Sequence, residues 1–190
     1  MKFKRFVPVF LSVVLAACFC FGLAGCGEKV SLHGDPTPYT NKAGSVSIDL
    51  PATGEDSWIE NEVTRDDLLD VTHNRGTINV QLLCLSKKTT DHVAKDLDGF
   101  RKYVLAHIFT DFADNKGNVA KATDMTMPEF AKDGKAWEYS YTADGQAIKG
   151  YFVVMESDEC FEACLITPTE ETFTANQDKI KAMIASIKEL

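Results

Sequence analysis

The segment that decides the fold is 137–155, which reads WEYSYTADGQAIKGYFVVM. Aromatic residues Trp137, Tyr139 and Tyr141 alternate with polar ones in its first half, as they do in a half-buried β-strand. The Asp-Gly pair at 144–145 is a strong signal for a hairpin turn. The second half ends in the apolar run 151–155, and a strand that is apolar on both sides needs cover on both sides. The segment therefore predicts a β-hairpin whose second strand is buried on both faces.

Further extended segments lie on both sides of this hairpin. Val46, Ile48 and Leu50 alternate with polar residues, and a tight turn at 74–76 separates two more strand-like runs. A second Asp-Gly pair at 133–134 predicts another turn, and 156–159 is polar enough to be a third. The remaining predicted strands are a short piece from Trp58 and the segments 68–73, 77–85, 120–130 and 160–167.

Two helices complete the pattern. The first has an apolar stripe at helical spacing, formed by Val93, Leu97, Phe100, Val104 and Ile108. Its start can be capped by residue 89 or 90, both threonine, and 115–117 contains the glycine that ends it.

The second helix closes the chain, with apolar residues at i, i+3, i+4 and i+7 from Ile180. Thr174 with Gln177 matches a capping box, and Thr169 is the alternative start. Strands, a helix, a run of antiparallel strands and a final helix predict an α+β fold. We expect a mainly antiparallel sheet with helices on both of its faces, an αβα sandwich.

Residues 1–25 have the pattern of a leader. Lys2, Lys4 and Arg5 precede the apolar run 6–25, as in a secretory signal peptide, although the run is also about as long as a membrane span. The sequence Leu-Ala-Gly-Cys at 23–26 resembles the bacterial lipobox. That resemblance implies cleavage before Cys26 and attachment of a diacylglyceryl group to its thiol, so the protein is expected on the extracytoplasmic face of the cell membrane.

The leader and its continuation give three regions. Residues 1–25 are the predicted lipoprotein signal peptide. Residues 26–44 contain the lipidated cysteine and, because they are rich in glycine and proline without hydrophobic periodicity, a predicted flexible linker. Residues 45–190 are long enough for one domain with a well-buried core.

Charge restricts the partners. Removal of residues 1–25 takes away three positive and no negative charges, which changes the formal net charge from −8 to −11. Nucleic-acid binding requires a basic face, so no nucleic-acid partner is expected. An acidic domain is also repelled by anionic lipid headgroups, so the membrane contact is expected through the lipid anchor.

The pattern from residue 45 onward resembles the PsbP-like family, whose fold is shared with the Ran-binding Mog proteins. The resemblance covers most of 45–190 and includes an opening VSIDLPATGEDSW (46–58), a long helix after a hairpin, a meander, and a closing MIASIKEL (183–190). It implies an αβα sandwich and work in binding or assembly more than catalysis. No binding residue of the family can be matched to this chain.

Cysteine and histidine spacing gives few candidates for chemistry. Cys160 and Cys164 lie on one predicted strand about 13 Å apart, too far for a disulfide. Cys84 can pair with either of them, or all three can be buried thiols. The histidines are scattered and show no metal-binding spacing, so no metal or cofactor is expected; they are His33, His73, His92 and His107.

Catalytic motifs are also missing. The sequence contains no Gly-x-Ser-x-Gly elbow, phosphate loop or Cys-x-x-Cys, so no catalytic residue is assigned. We expect a non-catalytic domain that binds an envelope protein or a small extracellular ligand. The alternative is a surface enzyme of the hydrolase type with a dispersed site, which would require histidines and carboxylates to meet in a cleft.

Overall fold

The structure is a computed structural model that describes residues 30–52, 57–90, 94–113 and 120–190. The predicted signal peptide and Cys26 lie outside the described residues. So do the turn at 53–56, His92, Val93 and the predicted helix end at 115–117.

In the described ranges, five strands are followed by three helices, then by four strands, a longer helix and a last short strand. The helices are α1 (Lys87–Thr90), α2 (Leu97–His107), α3 (Thr110–Ala113) and α4 (Glu170–Ala185). The strands are β1 (Asp35–Thr40), β2 (Val46–Ala52), β3 (Trp58–Glu60), β4 (Leu68–His73), β5 (Ile78–Ser86), β6 (Lys121–Thr123), β7 (Asp133–Ala143), β8 (Gln146–Glu156), β9 (Cys160–Pro168) and β10 (Lys188–Glu189).

Two antiparallel sheets and the helices form an α+β fold, as predicted. The large sheet has the order β3-β4-β5-β9-β8-β7-β6, and the small one has the order β1-β2-β10. Helix α4 and the small sheet cover one face of the large sheet, while α2 and α3 cover the other. Strand β8 sends Tyr151, Val153 and Met155 to the first face and Phe152 and Val154 to the second. The prediction of a strand buried on both sides is therefore confirmed.

One of the two predicted Asp-Gly turns is present. Asp144 (φ 49°) and Gly145 (φ 79°) connect β7 and β8 in the left-handed conformation that such hairpin turns require. The turn at 133–134 is wrong, because Asp133 and Gly134 already pair with Glu156 and Met155 of β8. The chain reverses earlier, where Ala131 N–H donates to the Pro128 carbonyl, and only 121–123 of the predicted strand 120–130 forms β6.

The residues that cap the two long helices differ from those predicted first from the sequence. Helix α2 starts after Asp96, whose side chain accepts a hydrogen bond from Gly99 N–H at 2.7 Å. The predicted caps Thr89 and Thr90 instead donate their hydroxyls to the Ser86 carbonyl. Helix α4 begins at the alternative cap, Thr169.

The prediction of a flexible linker over 26–44 is wrong for its described part. All of β1 pairs with β2 from Asp35↔Ala52 to Thr40↔Ser47. Val30 and Leu32 are buried although the local sequence shows no periodicity. The reason is tertiary: a partner strand and a helix supply hydrogen bonds and apolar cover that the segment's own composition does not reveal.

Asn176 holds this N-terminal segment in place. Its Nδ2 donates to the Val30 carbonyl at 2.6 Å, and its Oδ1 accepts from Leu32 N–H at 2.7 Å. Asn176 is buried and has non-helical backbone angles (φ −130°, ψ 18°) that interrupt α4. Lys179 also donates to the Leu32 carbonyl. Residues 30–32 are thus part of the folded domain.

Candidate functional site

The most distinctive group of side chains joins two thiols and a carboxylate across adjacent strands. Cys84 of β5 is the direct register partner of Glu162 of β9, and Cys160 precedes Glu162 by two residues on the same face. One ligand atom from each of the three lies within 4.8 Å of the other two. The distance from Cys84 Sγ to Glu162 Oε1 is 4.0 Å. We call these residues the thiol–carboxylate cluster.

The cluster is withdrawn from water. Glu162 has no exposed surface and Cys84 only 4 %, whereas Cys160 is partly exposed. Within the described part of the chain, Oε2 of Glu162 has no hydrogen-bond partner. Burying a polar atom without a partner is unfavourable, and a charged one costs more. This carboxylate therefore needs a proton or another positive charge.

Glu189 brings a second carboxylate to the cluster. It lies on β10, which pairs with β2, and its side chain interacts with both Glu162 and Cys160. Ser157 Oγ donates to Glu189 Oε1 at 2.8 Å and accepts from Cys160 N–H at 3.0 Å. The turn between β8 and β9 is thereby tied to the C-terminal strand.

Lys87 is the nearby cation. Its Nζ lies 2.6 Å from both Glu156 Oε1 and the Ser157 carbonyl oxygen, so its contacts are made mainly at the rim of the cluster. Its positive charge lowers the pKa of the Glu162 carboxyl, an effect smaller than the opposing effects of burial and Glu189. The two carboxylates are therefore only partly compensated by it.

The surroundings shift the titration of the whole cluster. Burial, with a smaller contribution from Glu189, raises the pKa of Glu162 to about 8. Burial likewise raises the pKa values of the Cys84 and Cys160 thiols above the ordinary range. Without a bound cation these groups are neutral at pH 7.

Cys164 stays outside the cluster. It faces Leu82 across the ladder and is fully buried, which raises the pKa of its thiol to about 12. Cys84, Cys160 and Cys164 are all free thiols in the structure. The predicted disulfide of Cys84 with Cys160 or Cys164 stays a prediction. Because Cys160 is the cysteine that lies near Cys84, the Cys84–Cys160 pair is the one to test.

The described histidines take other positions. The His73 ring is buried with its edge toward Trp58, at a centroid distance of 5.3 Å. The His107 ring lies 5.1 Å from Tyr103 on α2, and His33 contacts the Ser31 carbonyl. The structure thus brings none of these three into the thiol–carboxylate cluster.

The aromatic residues of β7 form core. Tyr139 is 1 % exposed and donates its hydroxyl to the Ile166 carbonyl at 2.7 Å. Phe112 of α3 covers Tyr139 and Tyr141, and Arg101 of α2 stacks over Trp137. They pack beneath helices and do not form an open ligand platform.

Sequence reasoning missed the thiol–carboxylate cluster because its members come from different strands. Cys160 and Glu162 share a face by strand alternation, and this signal was available from the sequence. The contact with Cys84 depends on the β5–β9 register, and the contact with Glu189 depends on a two-residue strand at the end of the chain. Spacing within one segment shows neither.

None of the helices in the described ranges has the length and apolar character needed to cross a bilayer.

Comparison with known proteins places the fold. No family model matches the chain, and no curated protein matches it either. The solution structure of cyanobacterial PsbP (CyanoP) from Synechocystis superposes with a TM-score of 0.53 at 10 % identity, covering 88 % of this chain and 99 % of that one. This likeness shows that the domain has a PsbP-like fold.

Two other solved structures give lower scores. A protein from Bacteroides thetaiotaomicron gives a TM-score of 0.48 at 11 % identity over 83 % of this chain and 49 % of its own. LpqN of Mycobacterium tuberculosis, a protein involved in cell envelope biogenesis, gives 0.44 at 10 % identity over 81 % and 90 %.

Proposed function

We propose that this protein is an extracytoplasmic lipoprotein, anchored through Cys26, whose PsbP-like domain binds an envelope protein or a small extracellular ligand without catalysing a reaction. The cationic and apolar leader ending in Leu-Ala-Gly-Cys supports the anchor. The PsbP-like fold supports binding or assembly work, because that is what the family resemblance implies.

The observation that carries this proposal is the short chain distance between Cys26 and a residue of the folded domain. Val30 and Leu32 are bonded to Asn176, so a residue only four positions after Cys26 belongs to the folded domain. Four residues of fully extended chain reach about 14 Å at most. A diacylglyceryl group on Cys26 would therefore hold the Asn176 region of α4 close to the bilayer.

This short tether changes where a partner can bind. The acidic domain is repelled by anionic headgroups, yet it cannot move far from them. A partner that is itself in or next to the membrane is within reach, while the surface opposite α4 faces the extracytoplasmic space. We therefore expect binding to an envelope component near the bilayer.

Mass spectrometry of the mature N-terminus tests the anchor. We expect residues 1–25 to be absent and Cys26 to carry a diacylglyceryl group. Cys26→Ser should move the protein out of the membrane fraction, whereas Cys20→Ser, a matched control within the leader, should leave it there. An unmodified N-terminus downstream of Cys26, or a cytosolic chain that retains Met1, would refute the proposal.

Crosslinking on intact cells tests the binding role. The wild-type protein should crosslink reproducibly to one membrane-proximal component through residues around Asn176, and the released Cys26→Ser protein should lose that product. Hydrolytic activity of the purified protein that disappears on substitution of His73 or His107 would instead favour the surface enzyme.

A further inference from the structure

We propose that Cys84, Cys160 and Glu162 form a zinc-binding site. The three ligand atoms already lie within 4.8 Å of one another. Thiolate sulfur and carboxylate oxygen are both established zinc ligands, and four-coordinate tetrahedral geometry is usual for a structural site. The inference depends on the folded domain alone and not on the lipid anchor.

The spacing is close to what zinc requires. With metal–sulfur distances of about 2.3 Å and metal–oxygen distances of about 2.0–2.2 Å, ligand atoms at tetrahedral corners are about 3.5–3.8 Å apart. Cys84 Sγ and Glu162 Oε1 are 4.0 Å apart in the structure. Given the 4.8 Å upper bound on the three mutual distances, bringing the three ligand atoms to tetrahedral spacing requires no distance to shorten by more than about 1.3 Å.

A second observation points to a ligand independently of the thiols. Oε2 of the fully buried Glu162 lacks a hydrogen-bond partner among the described residues, and Glu189 adds another carboxylate beside it. Lys87 is bonded to Glu156 and to the Ser157 carbonyl. A buried carboxyl atom without a hydrogen-bond partner, beside two thiols, is an environment that a metal cation can satisfy.

The surrounding structure can hold such a site in shape. Cys84, Cys160 and Glu162 are held by the β5–β9 ladder, which pairs from Ile78↔Pro168 to Ser86↔Cys160. Ser157 bonds both Glu189 and the Cys160 amide, as outer-shell groups do around metal ligands. The partly exposed Cys160 provides a route from solvent.

The donor set favours a thiophilic ion. Magnesium and calcium prefer all-oxygen sites, whereas two thiolates select zinc or monovalent copper. The Glu162 carboxylate is a hard donor, which favours zinc of the two. Zinc is therefore the ion to test first, with cobalt as its spectroscopic substitute.

Metal titration of the full chain tests the inference. Cys18, Cys20 and Cys26 are replaced by serine so that only the three domain cysteines remain, and the protein is reduced, stripped with a chelator and titrated with zinc and cobalt in detergent. We expect one equivalent of zinc, measured by competition with a chromophoric chelator, and thiolate-to-cobalt charge-transfer absorption. Saturating zinc should raise the Tm by about 5–10 °C at 100 times Kd.

Variants separate the site from unspecific binding. Cys84→Ser and the isosteric Glu162→Gln should each weaken zinc binding by at least about 100-fold, because outer-shell partners alone change affinity about 10–100-fold. Cys164 lies on β9 with Cys160 and Glu162 but outside the cluster, so the Cys164→Ser protein should bind zinc as tightly as the parent chain. Equal affinity in Cys84→Ser and the parent would overturn the proposal.

Two further results would also overturn it. The first is a folded, fully reduced parent chain that binds no zinc, in which case a proton satisfies Glu162. The second is a count of one free thiol in unreduced, denatured protein, which would show that Cys84 and Cys160 form a disulfide. Three free thiols together with one bound zinc support the site.

Discussion

Gly150→Ala is the substitution that tests the packing of the large sheet most directly. Gly150 lies on β8 where the chain crosses close to β9. A Cβ atom there would be placed against the Ile166 carbonyl oxygen more closely than real Cβ atoms approach any atom, and 2.7 Å from the Tyr139 hydroxyl. The Tyr139–Ile166 hydrogen bond, which is buried and 2.7 Å long, would be displaced as well.

The magnitude follows from three contributions. Overpacking in a well-packed core costs about 1–3 kcal/mol. Leaving a buried hydroxyl or carbonyl without its partner costs about 1–3 kcal/mol. Replacement of glycine by alanine in a strand by itself stabilises the folded state by about 0.5–1 kcal/mol. We expect a net loss of about 3 kcal/mol in the free energy of unfolding, which corresponds to about 6–12 °C in Tm for a chain of this length.

Urea unfolding followed by tryptophan fluorescence measures this loss. Ala147→Gly is the matched control, since Ala147 is exposed on the same strand and should show only the ordinary glycine penalty of about 0.5–1 kcal/mol. Tyr139→Phe isolates the hydrogen bond and should cost about 1–2 kcal/mol. A Gly150→Ala protein within about 0.5 kcal/mol of wild type would refute the close approach of β8 and β9.

Three further predictions address other elements. Asn176→Ala should destabilise the protein by about 2–3 kcal/mol and speed hydrogen exchange at the Leu32 amide. Replacement of the exposed Asp178 by alanine should do neither. Equal exchange in both variants would contradict the role of Asn176 in holding the N-terminal segment. Asp96→Ala should cost about 1 kcal/mol in urea unfolding and Asp96→Asn much less; equal losses would argue against capping. In chelator-treated protein, buried Glu162 should stabilise the fold fully below its unfolded pKa of about 4.5 and lose this contribution as pH rises toward about 8, because the folded state holds the proton more tightly. Other titratable groups lie around Glu162, namely Glu189, Lys87, Cys84 and Cys160, so a control must remove the Glu162 proton site alone. Glu162→Gln should make the free energy of unfolding nearly independent of pH across this range. An unchanged pH dependence would show that another group titrates.

Local signals predicted the elements whose causes are local. The 144–145 hairpin followed from residues that accept positive φ, and both long helices followed from apolar spacing. The double-sided burial of 151–155 followed from its composition alone. The turn at 133–134 failed because pairing with Glu156 and Met155 extends β7 through it, and pairing is a property of two segments.

The N-terminal segment and the thiol–carboxylate cluster required long-range information. Strand β1 is built from residues with many prolines and few apolar side chains, and it exists because β2 offers a free edge. Cys84 and Glu162 are 78 positions apart and become neighbours only through the β5–β9 register. The shared face of Cys160 and Glu162 was the only part of the cluster visible in one stretch of sequence.

By itself, the sequence determined the α+β class, the main hairpin, the two long helices and the prediction of a lipid-anchored leader, because each follows from patterns of neighbouring residues and the order of segments. Only the tertiary structure decided that Val30 and Leu32 belong to the folded domain, that β10 joins β2 and that two thiols meet a buried carboxylate. Strand register and sheet order are set by burial summed over the whole core, so no single segment contains them.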